Sequence, residues 1–524
     1  MTSINDQHAL ILACDFGTSG VTFGLYNPHT NKIKGFGGSV YQDRANLQDQ
    51  QWVEQDPRDW INAIPLAMAE LRSKVTFSEN DIVGIGIGAH MHALVLLDEH
   101  NQPVTIGDQL LCGAIMWNDP RGEPEGQFLS QKLGQPIPAR MTLSRIRWFM
   151  EHYAAQWRNQ VHRVAVPSSY IALELTGEFG VGPGDASGMV GQLDDLEQID
   201  EASIASLIPE LHNRLPTVGR SGEVLGELNA RGAELLGLPT GIPVAYPEGD
   251  QPVGMIASGC CRPGDASVSL GNSVVLNVVG TTPILGQRGP IDSFRTVIGD
   301  HLLMTCVTSG TIVYDQLVEL FKPLWPKDRT IDELRDWLAK EAAAVPPGCD
   351  GVAALPFYGG EGVLRQPNAF ASWLGFRKGD LNAGVLARSS MEASSLMMRY
   401  GFECMKTEGL ADVSQLVLSG GGSKNTLWPQ IVADIFKLPV VMPQDADEAA
   451  TRGAAYLALH MLEQQTPQAR SLDALLEERV VLSKPIVPRP AYFKVYDELL
   501  PSLIDSAARL APLYDHPRFI KSPT

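Results

Sequence analysis

The spacing of apolar and polar residues predicts alternating strands and helices in the N-terminal part of the chain. Residues 12–27 read LACDFGTSGVTFGLYN: an apolar run ends at Asp15, a small-residue turn follows, and apolar positions then alternate. This pattern predicts a β-hairpin. Residues 52–69 predict a helix that starts near a proline, and residues 82–97 predict a second strand–turn–strand unit. From residue 125 to 235 the apolar spacing is mostly helical.

The first hairpin pattern has an echo in the second half of the chain. Residues 265–274, DASVSLGNSV, again place an acid before an apolar strand, a Gly-polar-Ser turn and further apolar residues. A third glycine turn lies in residues 416–425, LVLSGGGSKN, between an apolar strand and a helix-like segment. The repetition predicts two related α/β lobes facing each other across a cleft, and chance similarity of small-residue turns is the alternative. We expect the lobes to span residues 1–256 and 257–524.

Length and composition are typical of a globular protein with at least two domains. The chain has 524 residues, of which 44% are hydrophobic and 19% charged. No uninterrupted apolar stretch approaches the ~18 residues of a membrane span, and the first residues lack the basic and apolar regions of a secretory signal. The seven cysteines include no CxxC pair, so we expect reduced thiols and a cytoplasmic protein.

The net charge of −19 restricts the partners that the chain can bind. A field of this sign repels nucleic acid and anionic membrane surfaces, so we expect neither as a partner. It also repels a free nucleotide triphosphate, so a phosphate site must act locally, through backbone N–H groups and a metal ion. The turn after Asp15 is suited to this role, because successive N–H groups of a glycine-rich turn can point at one anion.

Six short motifs, in matching order and at compatible spacing, resemble those of the FGGY family of carbohydrate kinases over nearly the whole chain. They are DFGTSG at 15–20, MHA at 91–93, WNDPR at 117–121, EGDQPVG at 248–254, SLGNS at 269–273 and LSGGGSKN at 418–425. The resemblance implies an α/β fold of two ribonuclease-H-like lobes, of the actin/hexokinase type, that flank a catalytic cleft. It also implies ATP-dependent phosphorylation of a terminal hydroxyl of a ketose, with Mg²⁺. The motifs are most similar to those of xylulokinases, which implies D-xylulose as the acceptor and D-xylulose 5-phosphate as the product.

The resemblance assigns the nucleotide and its metal ion to three turns. The implied cofactor-binding residues are Gly17, Thr18 and Ser19 for phosphate, Gly271, Asn272 and Ser273 for phosphate from the second lobe, and Gly420, Gly421, Gly422 and Asn425 for adenosine. Asp15 would serve Mg²⁺, a hard cation that keeps waters and one or two carboxylates. The alternative for Asp15 is an Asp that bonds the N–H groups of its own turn. The family usually has Gly-Thr-Ser at the second turn, so the contact made by Asn272 is expected to differ.

Asp250 is the candidate catalytic base. It lies in the turn YPEGDQP just ahead of a helix-like segment, and a helix N-terminus stabilises an ionised carboxylate. Transfer of a phosphoryl group to a hydroxyl requires an acceptor for the hydroxyl proton, and the resemblance places the family's base on this residue. The alternative is a helix N-cap, which Asp also favours. Asp250 and the neighbouring Gln251 would both contact the sugar.

Met91, His92 and Trp117 are the remaining candidate sugar-binding residues. Met91 and His92 match the pair that contacts the sugar in the similar kinases, and Trp117 would lay its face along the carbon chain. The alternatives are a structural histidine, a core tryptophan, and a metal bound by His90 and His92, which share one side if this segment is a strand. Residues 118–121 have an alternative interpretation as a hydrogen-bonded turn.

Other functions and assemblies stay open. A kinase for another linear sugar or polyol, such as sedoheptulose or ribulose, is one alternative, and an ATP-binding switch module of the same fold is another. A kinase that has lost activity is a third, because Asn272 and the loop at residues 361–364 depart from the family pattern. We expect a small-molecule sugar and ATP as the partners, and a homodimer stays open beside a monomer.

Overall fold

Strands and helices alternate along the chain in the computed structural model, which describes residues 4, 6–41, 44–45, 52–107, 113–191, 204–282, 290–366, 368–408, 410, 412–444, 449–467 and 469–516. The strands are β1 Leu10–Phe16, β2 Gly20–Asn27, β3 Lys32–Val40, β4 Arg44–Ala45, β5 Val53–Gln55, β6 Ile82–Ala89, β7 Leu94–Leu97, β8 Ala114–Ile115, β9 Arg163–Ala165, β10 Gly180–Val181, β11 Thr217–Val218, β12 Val224–Glu227, β13 Pro243–Ala245, β14 Glu248–Gly249, β15 Ala266–Leu270, β16 Val274–Gly280, β17 Asp292–Arg295, β18 His301–Val307, β19 Ala353–Leu355, β20 Ser372–Leu374, β21 Leu416–Ser419 and β22 Val440–Val441. The α-helices are α1 Pro57–Lys74, α2 Glu123–Leu133, α3 Thr142–His152, α4 Ala154–Asn159, α5 Pro167–Thr176, α6 Pro183–Val190, α7 Ala230–Leu236, α8 Asp250–Ala257, α9 Ile312–Phe321, α10 Ile331–Ala344, α11 Ala383–Thr407, α12 Trp428–Phe436, α13 Ala449–Gln464, α14 Leu472–Arg479 and α15 Phe493–Tyr514.

Two mixed sheets, one in each half of the chain, share one strand arrangement. The first runs β12-β13-β6-β1-β2-β3 and the second β17-β18-β16-β15-β21-β22. In the first, β1 and β2 are antiparallel, β2 and β3 are antiparallel, and β1, β6 and β13 are parallel neighbours. In the second, β15, β16 and β18 repeat the antiparallel part, and β15, β21 and β22 repeat the parallel part. The sequence echo is therefore a structural repeat, and the predicted fold of two related α/β lobes is confirmed.

The repeat brings the motif-bearing turns to equivalent places. Residues 17–19 join β1 to β2, and residues 271–273 join β15 to β16. Residues 90–92 follow β6, and residues 420–422 follow the equivalent strand β21. Because the carboxyl ends of β1, β6, β15 and β21 carry all four segments, each lobe presents a turn and a strand end at one edge of its sheet.

One helix of the second half packs directly on the sheet of the first half. Helix α13 lies against β6 so closely that a Cβ atom at Gly86 would be 1.8 Å from the carbonyl oxygen of Ala454. The same helix contacts α8, where a Cβ atom at Gly453 would be 2.1 Å from the carbonyl oxygen of Val253. In the shared core, buried side chains of β1, α8, α13 and α14 form one apolar cluster. The division into residues 1–256 and 257–524 stays a prediction.

The predicted helix over residues 52–69 begins later in the structure. Residues 53–55 form β5, and α1 begins at Pro57, with the Asp56 side chain accepting a hydrogen bond from the Arg58 backbone N–H. Proline is suited to the first helical position because its fixed φ angle is helical and its missing N–H has no partner there. The prediction of a helix behind a Pro-containing entry is therefore confirmed, and β5 belongs to the entry.

Two predictions from composition can be compared with the described residues. None of the helices formed by the described residues is long and apolar enough to cross a bilayer. The six cysteines in this part of the chain are all free thiols, with four buried and two partly buried.

Replacing Gly86 by alanine tests the packing of α13 on β6. The added methyl group collides with backbone rather than with a movable side chain, so we expect Gly86→Ala to lower the free energy of unfolding by about 1–3 kcal/mol or more. Gly359→Ala is the control, because a Cβ atom there meets nothing within 4 Å. Thermal unfolding followed by circular dichroism measures both, and equal midpoints for the two variants would contradict the close contact.

Candidate active site

Asp250 lies at the first position of α8, and Gly249 occupies the N-cap. The Asp250 carboxylate accepts hydrogen bonds from its own backbone N–H and from the backbone and side chain of Gln251. Burial raises the pKa of Asp250 to about 6, although these hydrogen bonds oppose the rise. The carboxylate is therefore ionised at neutral pH and is still a better proton acceptor than an exposed aspartate. The N-cap interpretation does not describe its position, because the cap is the preceding glycine.

The side chain of Gln251 connects Asp250 to the second sheet. Its amide donates to Asp250, and its Oε1 accepts a hydrogen bond of 3.2 Å from Nδ2 of Asn277 on β16. Gln251 thus orients the candidate base relative to the other lobe. Its predicted contact with a sugar hydroxyl stays a prediction.

Asp15 and Asp250 lie at the same edge of the first sheet. Asp15 on β1 is paired with Gly88 on β6, and Gly88 is in turn paired with Glu248, two residues before Asp250. Burial first, and then the negative charge of Asp250, raise the pKa of Asp15 to about 7. The two carboxylates are thus near enough for the charge of one to disfavour ionisation of the other.

The donors at this edge suit Mg²⁺ brought by a nucleotide better than a metal held by protein alone. Within the described residues, no three His, Cys, Asp or Glu side chains are grouped so that they could hold a metal ion. Mg²⁺ commonly binds one or two carboxylates and completes its octahedron with water and phosphate oxygens. Asp15 and Asp250 fit that requirement.

The turn at residues 17–19 is held in place by side chains of neighbouring segments. Gln55 donates 2.8 Å from its Nε2 to the carbonyl oxygen of Thr18, and the Tyr41 hydroxyl donates to the carbonyl oxygens of Gly17 and Gly20. These donors bind the carbonyl oxygens, which are the negative ends of the peptide groups in the turn. The arrangement favours a turn whose N–H groups can serve phosphate oxygens.

The second turn keeps its shape through backbone bonds. The carbonyl oxygens of Gly271 and Asn272 accept hydrogen bonds of 2.7 Å from the N–H groups of Thr311 and Gly310. A Cβ atom at Gly310 would lie 2.5 Å from the Gly271 oxygen, so the contact requires glycine there. Asn272 itself is exposed, and Ser273 hydrogen-bonds the thiol of Cys306. The substitution at Asn272 therefore changes an exposed side chain and leaves the backbone of the turn intact.

The three glycines after β21 differ in the physical reason for which each position suits glycine. Gly420 has a φ angle of 84°, and a Cβ atom there would lie 2.8 Å from the carbonyl oxygen of Leu270. A Cβ atom at Gly422 would lie 2.7 Å from the Leu270 Cβ, whereas one at Gly421 would meet nothing within 4 Å. Gly420 and Gly422 thus allow close packing on β15, and Gly421 offers an open backbone surface of the kind expected for adenosine.

Asn425 acts in the structure as a helix-capping residue. Its Oδ1 accepts hydrogen bonds of 2.9 Å and 3.0 Å from the N–H groups of Leu427 and Trp428 at the start of α12. Its side chain also hydrogen-bonds the Tyr314 hydroxyl. The capping role accounts for an asparagine at this position. Its proximity to the nucleotide base stays a prediction.

Met91 and His92 leave β6 in a conformation that a strand does not allow. His92 has a φ angle of 73°, and its Nδ1 lies 3.1 Å from the carbonyl oxygen of Gly188. His90 turns to the carbonyl oxygen of Phe16, 3.2 Å from its Nδ1. The two histidines therefore have different environments, and because β6 ends at Ala89 the condition for the alternative of a shared strand face is not met.

His92 is neutral and its tautomer follows from its partner. Burial, followed by the positive charges of Arg140 and Arg145, lowers the pKa of His92 to about 3. A carbonyl oxygen can only accept, so Nδ1 carries the proton and Nε2 is left as a hydrogen-bond acceptor. Met91 packs against the backbone of Gly249, where an added Cβ atom would lie 2.4 Å from the Met91 Cγ.

Trp117 is a surface residue rather than a core tryptophan. Its side chain is among the exposed large apolar groups at 40% exposure, and its Nε1 donates 3.2 Å to the Thr18 Oγ1. The motif that contains it also supplies Asp119 and Arg121, which form a buried ion-pair network with Glu54. Asp119 and Arg121 therefore form the hydrogen-bonded turn, whereas Trp117 is exposed beside the turn at residues 17–19.

Arg145 is an organising residue that the sequence analysis missed. Its fully buried guanidinium on α3 donates to the carbonyl oxygens of Met116, Trp117, His92 and Arg140. One side chain thereby fixes the loops that carry two of the predicted sugar contacts, Trp117 and His92. The available signal was a charged residue in the otherwise apolar stripe of a predicted helix.

Glu248 is a second residue whose role the sequence did not reveal. Its carboxylate accepts hydrogen bonds of 3.0 Å and 2.9 Å from the N–H groups of Gly184 and Asp185 at the start of α6. Burial raises the pKa of Glu248 to about 7. Glu248 thus joins α6 to the strand that leads into Asp250.

Comparison with known proteins gives the same assignment over both halves of the chain. Residues 10–257 match the N-terminal domain, and residues 266–462 the C-terminal domain, of the FGGY family of carbohydrate kinases. A xylulose kinase of Haemophilus influenzae is 30% identical over 462 residues, which cover 85% of this chain and 89% of the relative. A xylulose kinase of Streptomyces rubiginosus is 29% identical, with coverage of 79% and 81%.

Solved structures of related proteins share the fold. A xylulose kinase from Rhodospirillum rubrum superposes with a TM-score of 0.80 at 23% identity, covering 96% of this chain and 99% of that chain. A glycerol kinase from Plasmodium falciparum with ADP gives a TM-score of 0.78 at 17% identity, covering 98% and 99%. Two matching domains, a repeated pair of lobes and full-length relatives lead to one conclusion: the chain belongs to the FGGY family of carbohydrate kinases and is an ATP-dependent sugar kinase.

Proposed function

We propose that this kinase transfers the γ-phosphoryl group of ATP to a terminal hydroxyl of D-xylulose, giving D-xylulose 5-phosphate, with Asp250 as the general base. The observation that carries the proposal is the environment of Asp250: its carboxylate is partly exposed near Asp15, accepts hydrogen bonds from Gln251, and has a pKa that partial burial raises to about 6. The substrate is supported by the xylulose kinases of similar sequence.

The acceptor sugar would be bound by the groups that surround Asp250. Nε2 of His92 accepts a hydrogen bond from one hydroxyl, Met91 packs against the carbon chain, and the face of Trp117 covers it. Asp250 then accepts the proton of the terminal hydroxyl as the new O–P bond forms. Phosphoryl transfer requires in-line positioning and neutralised charge more than covalent help from the protein, and the sugar-binding groups and Asp15 would supply these two requirements.

The nucleotide would be bound by the three turns, with Asp15 serving Mg²⁺. Backbone N–H groups at residues 17–19 and 271–273 donate to phosphate oxygens, and the open backbone at Gly421 receives adenosine. Mg²⁺, when bound, neutralises phosphate charge. Asp15 keeps a carboxylate oxygen available for the ion, and Asp250 opposite it keeps its own for the sugar proton.

Replacing the base by its isosteric amide tests its role. Asp250→Asn keeps the size of the side chain and removes the proton acceptor, so we expect kcat to fall by at least about two orders of magnitude. Nucleotide binding measured by calorimetry should persist, because the turns make those contacts. Asp332→Asn is the matched control, since Asp332 also lies in the first turn of a helix but is exposed. A near-normal kcat for folded Asp250→Asn would remove Asp250 from the mechanism.

The role of Asp15 predicts a change in Mg²⁺ dependence. Asp15→Asn removes one of two carboxylates near the ion, so we expect the Mg²⁺ concentration for half-maximal rate to rise about tenfold or more. Steady-state rates over a Mg²⁺ titration measure this. Chelation that leaves wild-type turnover intact, or an identical titration for the variant, would contradict the assignment.

A panel of acceptors tests the substrate. With ADP release coupled to a recorded reaction, we expect the highest kcat/KM for D-xylulose among D-xylulose, D-ribulose, sedoheptulose and linear polyols. A higher kcat/KM for another sugar would replace D-xylulose as the substrate and leave the kinase assignment unchanged.

A further inference from the structure

One polar residue interrupts an otherwise apolar interior strand. Strand β16 reads VVLNVVG, and all seven of its residues are buried. Asn277, the one polar side chain of this strand, is 3% exposed. The strand lies between β15 and β18, which bond its backbone on both sides. The side-chain amide of Asn277 therefore needs partners of its own, because a buried polar group without them costs free energy.

The face of β16 that carries Asn277 is packed with apolar side chains. Alternate residues of a strand share a face, so Val275 and Val279 lie on the side of Asn277. Both valines belong to one buried cluster with Met255 of α8 and Met304 of β18. Packing therefore favours a valine at this position, and the asparagine has to be accounted for by the group that its amide binds.

The amide of Asn277 makes its hydrogen bond to α8. Its Nδ2 donates to Oε1 of Gln251 over 3.2 Å. Its Oδ1 is buried and, among the residues that the structure describes, has no hydrogen-bond partner. An acceptor left unpaired adds to the free-energy cost of burying the amide. The contact with Gln251 is thus the gain that distinguishes this asparagine from a valine.

The bond from Asn277 determines which end of the Gln251 amide faces Asp250. A side-chain amide has an oxygen that accepts and an NH2 group that donates. Because Asn277 donates, it occupies the oxygen of Gln251 and leaves the NH2 group for the carboxylate of Asp250, to which the Gln251 side chain is hydrogen-bonded. Gln251 is partly exposed, so without this bond its side chain can turn toward water.

Strand β16 also begins directly after the turn at residues 271–273. That turn leads into Val274, and Asn277 follows on the same strand. The chain of contacts from Asn277 through Gln251 to Asp250 therefore connects the candidate base to the strand whose turn is predicted to bind phosphate. In-line transfer depends on such alignment, since a misplacement of about 1 Å can lower a rate by about 10²-fold.

We propose that Asn277 is a positioning residue for phosphoryl transfer, which holds the amide of Gln251 so that the carboxylate of Asp250 stays directed at the acceptor hydroxyl. The proposal rests on the proposed function, because it takes Asp250 as the general base. Asn277 acts through Gln251 and contacts neither substrate. The contrasting role is a structural one, in which Asn277 only joins α8 to the second sheet.

Paired substitutions separate the two roles. Asn277→Ala removes the amide, and Asn277→Val removes it and fills the space with the side chain that the strand favours. Gln251→Ala and the double variant Gln251→Ala/Asn277→Ala test whether Asn277 acts through Gln251. Asn368→Ala is the control, because the Asn368 amide also donates to a side chain, that of Asp515, but on an exposed surface.

The experiment measures the KM for ATP, the thermal midpoint, and kcat at saturating ATP and saturating sugar, where weaker sugar binding no longer affects the rate. The sugar is the best acceptor of the wild-type panel. We expect both Asn277 variants to lower kcat about tenfold, with the ATP KM within about threefold of wild type. Gln251→Ala should lower kcat at least as far. Adding Asn277→Ala to it should change kcat by less than about threefold, because the donor then has no amide to hold. Asn368→Ala should change none of these.

The proposal is overturned if Asn277→Val keeps the kcat of wild type, since valine cannot donate a hydrogen bond. It is also overturned if the ATP KM rises as kcat falls, if the losses of Asn277→Ala and Gln251→Ala multiply in the double variant, or if neither Asn277 variant folds, which are the results for a structural role. A near-normal kcat for Asp250→Asn would contradict the proposed function instead, so the two failures are distinguishable.

Discussion

The partial burial of two neighbouring carboxylates, Asp15 and Asp250, is the constraint around which the candidate site is arranged. Both lie partly exposed at one sheet edge, and the partial loss of water raises the pKa of Asp15 to about 7 and that of Asp250 to about 6, with the charge of Asp250 adding to the rise at Asp15. A chain with a net charge of −19 adds a further barrier to an anionic nucleotide. In the proposed mechanism, backbone N–H groups and a divalent cation would neutralise the phosphate charge without adding another charged side chain beside the two carboxylates.

The repeated lobe shows how one architecture provides two kinds of binding surface. The segment after β6 ends in His92, whose left-handed backbone turns a neutral imidazole inward, and the equivalent segment after β21 contains three glycines. One buried guanidinium, Arg145, then fixes the loops on the sugar side through backbone carbonyl groups alone. Replacing it would leave several buried carbonyl oxygens without a donor, so the shape of that surface depends on one residue that touches no proposed ligand.

Much of this arrangement could be predicted from the chain, and the rest depends on contacts distant in sequence. Local patterns predicted the hairpins, the glycine turns and the repeat, because turn chemistry and apolar spacing act over a few residues. The bond between Gln251 and Asn277, the crossing of α13 onto β6 at Gly86, and the four bonds of Arg145 join segments far apart in the chain. The contact of His92 with the carbonyl oxygen of Gly188 could not be predicted for the same reason, because Gly188 lies on a helix distant in sequence.

The pH dependence of kcat/KM for the sugar, recorded at low and at saturating Mg²⁺, tests the central claim most directly. A base must be ionised to act, so the rate falls as the pH drops through the pKa values of the carboxylate pair, about 6 and about 7 in the free protein. A cation between the carboxylates favours their ionised forms and lowers both pKa values. We therefore expect the acid limb of the profile to move to lower pH as Mg²⁺ is raised, and an acid limb at the same pH for all Mg²⁺ concentrations would contradict the account.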